Sequence, residues 1–109
     1  MAVLLDYGSY YFLKKDSEVK KADFSFYSHE MPTLRFVIKN NVSKKIRFKI
    51  APMINALSFK PEITIKDSKV FELKVNASLL PKNWSGDLLI NDVGIISTIP
   101  LSFSKKELN

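Results

Sequence analysis

His29 is the only histidine of the chain, and its neighbours Ser28 and Glu30 supply the residue types of a nucleophile and an orienting acid. A working triad needs its base within reach of the hydroxyl and its acid within reach of the far ring nitrogen, and three consecutive residues do not provide that geometry by themselves. The trio reads instead as a loop with a solvent-exposed histidine. One histidine and no cysteine exclude multi-histidine and thiolate metal sites, redox dithiols, disulfides and cysteine nucleophiles. The acids Asp6, Asp16, Asp23, Asp67, Asp87 and Asp92 fall mostly at turns or outward strand positions. A paired-carboxylate enzyme would need two of them to converge in a cleft. With only Gly8, Gly86 and Gly94, no glycine-rich loop is available to cradle a phosphate. No catalytic residue, metal or cofactor is assigned, and the expectation is a non-enzymatic protein.

The cations suggest a different chemistry. The net charge is +6, yet only Arg35 and Arg47 among the 17 basic residues offer the planar fork suited to bidentate phosphate or guanine contacts. If residues 34–40 and 44–50 form a simple hairpin pairing Ile38 with Ile46, then Arg35, Lys39, Lys45, Arg47 and Lys49 share one outer face. Such a face could meet phosphates, with Tyr11 or Tyr27 as stacking partners. Dispersed lysine has a second use, since it discourages edge-to-edge aggregation and keeps a β-protein soluble.

The elements that would position these groups are strands. From residue 34 to 75 a hydrophobic residue recurs at every second position: Leu34, Phe36, Ile38; Ile46, Phe48, Ile50; Ile63, Ile65; Phe71, Leu73, Val75. Asn40-Asn41-Val42-Ser43 and Asp67-Ser68-Lys69 break the pattern as turns, and residues 52–61 read as a connection. Alternation of this kind marks half-buried strands, because successive side chains point to opposite faces. Upstream, residues 3–13 read as a strand interrupted by Gly8, residues 14–18 as a polar turn, and Ala22, Phe24 and Phe26 as the inner face of another strand. Residues 28–33 form a loop around Pro32. Downstream, residues 79–86 read as a connection into a strand at 87–90, followed by a turn with Gly94 in the left-handed position. The return strand, 95–103, places Ile95, Ile99, Leu101 and Phe103 on one side, and Pro100 within it argues for an edge or a bulge.

These features fit one domain of 109 residues, with N-terminal strands over 1–28, a core over 34–103 and a frayed tail at 104–109. About seven to nine strands and no 3.6-residue apolar period favour an antiparallel β-sandwich. The N-terminus has no basic leader region, and no apolar run reaches membrane-spanning length. As written the chain is expected to be cytoplasmic; a trimmed chain could be extracellular. Asn41-Val42-Ser43, Asn76-Ala77-Ser78 and Asn83-Trp84-Ser85 match the glycosylation sequon, which matters only in a secreted chain.

The run Leu-Arg-Phe-Val-Ile-Lys-Asn-Asn-Val-Ser-Lys-Lys-Ile-Arg-Phe-Lys-Ile over residues 34–50 resembles a strand, turn and strand of one immunoglobulin-like group, that of the major sperm protein and the pilus chaperones. Residues 59–65 with 68–75, and residues 85–90 with 99–103, are similar to later strands of that pattern. Val42 stands where those domains often carry Pro, and the turn before Val70 has no Gly. The resemblance implies an immunoglobulin-like sandwich that binds peptides, assembles with copies of itself or completes a partner's sheet. It also implies that the strands at 34–40 and 44–50 lie in opposite sheets, which divides the five cations between two outer surfaces.

The N-terminal strand then carries the sharpest expectation. Tyr10, Tyr11, Phe12 and Leu13 present aromatic or apolar groups to both faces, as suits an edge strand that joins a partner or a second copy by strand addition. Trp84, beside Gly86, is expected to cap one end of the core or to serve as a binding hot spot. The sequence thus points to a protein-interaction or assembly module. Nucleic-acid binding through Arg35, Lys39, Lys45, Arg47 and Lys49 is the alternative.

Overall fold

The computed structural model describes residues 2–7, 21–39, 45–64 and 70–106, and within them the chain is almost wholly β. Nine strands follow one another: β1 (Ala2–Tyr7), β2 (Ala22–Tyr27), β3 (Thr33–Lys39), β4 (Lys45–Ala51), β5 (Leu57–Ser58), β6 (Glu62–Thr64), β7 (Val70–Val75), β8 (Asn83–Asp92) and β9 (Ile95–Lys106). A single 3₁₀ turn, Ala77–Leu79, is capped by Asn76, whose Oδ1 accepts from the Ser78 N–H and hydroxyl.

The strands form two sheets, ordered β1-β3-β7-β5 and β2-β9-β8-β4-β6. Burial alternates as the sequence pattern requires. Ile46, Phe48 and Ile50 of β4 are buried while Lys45, Arg47 and Lys49 are exposed, and β2 and β7 behave likewise. The inner faces of both sheets share one core, and no polar or charged residue is buried among the described residues. Phe48 of one sheet stacks on Phe71 of the other, with ring centroids 4.1 Å apart, and Phe36 and Phe59 pack around Phe71 at 5.9 and 5.4 Å. A second aromatic group joins Phe24, Phe26, Trp84 and Phe103.

Several expectations need correction. The sheets are not purely antiparallel, because β2 runs parallel to β9. These two strands are far apart in sequence, so no hairpin fixes their relative direction. Residues 52–61 are not only a connection, since they contain β5, two residues long. Thr33 already belongs to β3. Residues 83–86 are the start of β8 and not part of a loop. Gly86 suggested a turn, but its role is to make room: a Cβ there would lie 2.6 Å from the Cη2 and Cζ2 atoms of Trp84 and 2.8 Å from the Ala51 carbonyl oxygen. Of the strand expected over 3–13, β1 ends at Tyr7, and residues 8–13 lie outside the described residues. So do both expected turns, 40–43 and 67–69.

Pro100 sits where the ladder tolerates it. The Lys105 N–H donates to the Lys82 carbonyl, so odd-numbered residues of β9 turn their backbone toward β8 and Pro100 turns away from it. On that other side β2 begins to pair only at Leu101. The missing donor of Pro100 therefore faces a side on which no described strand pairs with it. Gly94 adopts φ +85° in the two-residue loop between β8 and β9, as expected.

Two substitutions test this packing. Phe71→Ala should lower stability by about 3–5 kcal/mol in urea unfolding, because Phe71 joins the aromatic contacts across both sheets. Gly86→Ala should cost about 1–3 kcal/mol through overpacking against Trp84, despite adding only a methyl group.

Candidate functional site

β1 stands at one edge of the four-stranded sheet and pairs with β3 from Ala2↔Lys39 to Tyr7↔Leu34. The direction of its free hydrogen-bonding groups follows from the neighbouring ladder. The Val75 N–H donates to the Pro32 carbonyl, which makes Leu34↔Leu73 and Phe36↔Phe71 the pairs bonded toward β7. Arg35, Val37 and Lys39 therefore turn their backbone toward β1, where they meet Asp6, Leu4 and Ala2. Val3, Leu5 and Tyr7 are left with backbone N–H and C=O groups directed outward. No strand among the described residues pairs with β1 on that side.

The sequence of this edge is Ala-Val-Leu-Leu-Asp-Tyr. It lacks Lys and Pro, two residues with which natural edge strands are often blunted, and its one charge is Asp6. Tyr10, Tyr11, Phe12 and Leu13, singled out in the sequence, lie outside the described residues.

The five candidate cations do not come together. Arg35 and Lys39 belong to β3 in one sheet, whereas Lys45, Arg47 and Lys49 belong to β4 in the other. The hairpin pairing of Ile38 with Ile46 does not form; β3 pairs with β1 and β7. Each cluster is also partly neutralised. Arg35 meets Glu72 at 3.6 Å, and Lys45 and Arg47 share Glu62 at 3.8 and 3.4 Å. Asp23 and Asp87 add exposed carboxylates to the outer side of the sheet that carries Lys45, Arg47 and Lys49.

The Ser28-His29-Glu30 residues serve a turn. Glu30 Oε1 accepts from the Tyr27 N–H at 2.7 Å, the Glu30 N–H donates to the Tyr27 carbonyl, and the His29 ring stacks on Tyr27 at 6.0 Å. His29 and Glu30 are thus both engaged with Tyr27. Trp84 is buried and stacks on Phe103 at 5.2 Å, which makes it a core residue; its Nε1 has no hydrogen-bond partner.

Sequence reasoning missed the exposed apolar residues. Ile95 follows the inner-face alternation of β9, yet it lies beyond the core and is 73% exposed, beside exposed Val93 and Ile96. Alternation reports which way a side chain points, not whether the opposite sheet extends far enough to cover it. Met31, Met53 and Leu79 are likewise exposed, in loops where no periodicity applies. A groove of ≈ 440 Å³ lies where the chain leaves β5 and crosses toward β6; Phe59, Ile63 and Phe71 line it together with Lys60, Glu72 and Lys74.

No protein-family model matches the chain, and no curated protein matches it in sequence.

The β8–β9 loop holds Val93 at φ +48°, a conformation costly for a β-branched residue. The Gly94 N–H donates to Asn91 Oδ1 at 2.8 Å and locks the turn. Val93→Asn should raise stability by about 1 kcal/mol in thermal or urea unfolding, since Asn before Gly is the preferred pair for such a turn.

Proposed function

We propose that the protein is an immunoglobulin-like β-sandwich acting as a non-enzymatic interaction module, which binds by adding a strand at the β1 edge. The fold reading is supported by the placement of β3 and β4 in opposite sheets. That arrangement is the one implied by the resemblance to the major sperm protein and pilus-chaperone group.

The observation that carries the function is the composition of β1. Six residues with a single charge, Asp6, leave the outward N–H and C=O groups of Val3, Leu5 and Tyr7 in register for another strand. Backbone hydrogen bonds would supply affinity, and alternate side chains of the incoming strand would supply specificity. A second copy is the simplest occupant, because two β1 edges can pair antiparallel about a two-fold axis and bury one another. Tyr10, Tyr11, Phe12 and Leu13 would extend the same edge.

The nucleic-acid alternative, through Arg35, Lys39, Lys45, Arg47 and Lys49, has less support. The cations are distributed over two sheets and three of them have carboxylate neighbours, so the five do not form one phosphate-binding row.

Light scattering tests the β1 edge. Deleting residues 1–13 should convert a self-associating chain to a monomer while circular dichroism remains β-rich. Val3→Pro, which removes one outward N–H and is tolerated on an edge strand, should weaken association in the same direction. Association that is unchanged in both variants would sink the proposal.

A further inference from the structure

Among the described residues, the exposed large hydrophobic side chains occupy both ends of the strands. Val93, Ile95 and Ile96 are at the β8–β9 tip, while Met31, Met53 and Leu79 stand on three loops. β9 separates the two groups. It runs from Ile95 at the tip to Lys106, which pairs with Tyr27 at the far end of β2, and 12 residues at about 3.3 Å each cover most of the molecule's 48 Å length.

The loop end is knit together by backbone hydrogen bonds. The Ala77 N–H donates to the Glu30 carbonyl, the Val75 N–H to Pro32, and the Asn76 N–H to Ala56. Loops 28–32, 52–56 and 76–82 are thereby held against one another, and they present Met31, Met53 and Leu79 at 74%, 52% and 49% exposure. Lysines stand among them. The Lys105 N–H donates to the Lys82 carbonyl, and Lys105 Nζ reaches the Ser78 carbonyl beside Leu79 at 3.4 Å. Lys106 Nζ lies 5.1 Å over the Tyr27 ring, which stacks on His29, two residues before Met31. Among the described residues of these three loops the one carboxylate is Glu30, whose Oε1 is turned to the Tyr27 N–H.

We propose that this end docks on an anionic lipid surface, with Met31, Met53 and Leu79 entering the headgroup region and Lys82, Lys105 and Lys106 meeting the lipid charges. The sign of the charge selects an anionic surface. The shape of the apolar element selects lipid, because three side chains protruding from three loops need a surface that closes around each of them. A folded protein partner would need three matching hollows. Methionine suits the task, being unbranched and adaptable. Because the loops are already fixed to one another, little ordering is needed on docking. The opposite end is less suited, since Lys45 and Arg47 there share Glu62 and the carboxylate of Asp92 ends β8 beside the turn. This inference does not depend on the β1 edge.

Vesicle co-sedimentation of the full chain tests it. Binding is expected to phosphatidylcholine vesicles containing phosphatidylserine and not to phosphatidylcholine alone, and it should weaken with added salt. The triple variant Met31→Ser, Met53→Ser, Leu79→Ser should lower the affinity roughly tenfold, as should Lys82→Glu with Lys106→Glu. Val93→Ser, Ile95→Ser, Ile96→Ser should bind as the parent does. All these side chains are exposed, and circular dichroism verifies that each variant is folded. Absence of serine-lipid-dependent binding at low salt would overturn the proposal. So would a loop-end triple variant that binds as tightly as the parent, which would reduce the effect to unspecific adhesion of a basic protein.

Discussion

The contact between Phe48 and Phe71 is the constraint on which the rest of the structure depends. Their rings stack at 4.1 Å across the two sheets, within a core that contains only apolar residues among those described. For both rings to point inward, β4 and β7 must lie in different layers, and the registers of their neighbours are then fixed. A shift of one residue in β4 would bring Lys45, Arg47 and Lys49 into the core and expose Ile46, Phe48 and Ile50. Burial of three charges without partners is far costlier than the pairing energy a slipped register could recover. The same constraint determines where the cations can go. Because β3 belongs to the layer of β7 and β4 to the other, Arg35 cannot share a face with Arg47.

Unequal strand lengths then determine which backbone groups remain open. β5 pairs with β7 only at Leu57↔Val75 and Ser58↔Lys74 before the chain turns toward β6, where the Phe48 N–H donates to the Pro61 carbonyl. The crossover leaves the groove beside Phe59 and Phe71, rimmed by Lys60 and Lys74. β6 is three residues long and carries Glu62 against Arg47. Short strands and flanking charges are the usual means of discouraging unwanted pairing. β1 is six residues long and carries one charge, Asp6. Its contrast with β5 and β6 within one molecule gives the β1 edge its interest.

Much of the fold was legible in the sequence because a strand with one covered face records that fact at every second residue. Ile46-Phe48-Ile50 and Phe71-Leu73-Val75 follow this rule without exception. Where two physical demands fell on one residue, the sequence misled. Gly86 looked like a turn because glycine tolerates unusual backbone, but it is a strand residue whose missing Cβ accommodates the Trp84 ring. Pro100 suggested an edge, and among the described residues β9 is paired on both sides only from Leu101 onward. The parallel pairing of β2 with β9 left no local mark, since it depends on two segments that meet only after folding. The surface was less legible still. Nothing in the spacing of Met31, Met53 and Leu79 indicates that three loops converge, because their convergence rests on backbone hydrogen bonds from residues 75–77 to Pro32, Glu30 and Ala56.

On the reading proposed above, recognition uses two places. With no polar side chain buried among the described residues, these are the backbone groups of a strand edge and the side chains of the loops at the strand ends. The two differ in physical character. An edge such as β1 offers directional hydrogen bonds whose worth depends on exclusion of water, so it suits an extended partner that also covers its flanks. The loop end offers apolar side chains and lysines without a continuous ladder, so its energetics follow area and charge and are sensitive to salt. The β1 outer edge and the loops at 28–32, 52–56 and 76–82 involve separate residues and separate backbone groups, so engagement of one leaves the hydrogen bonds of the other intact.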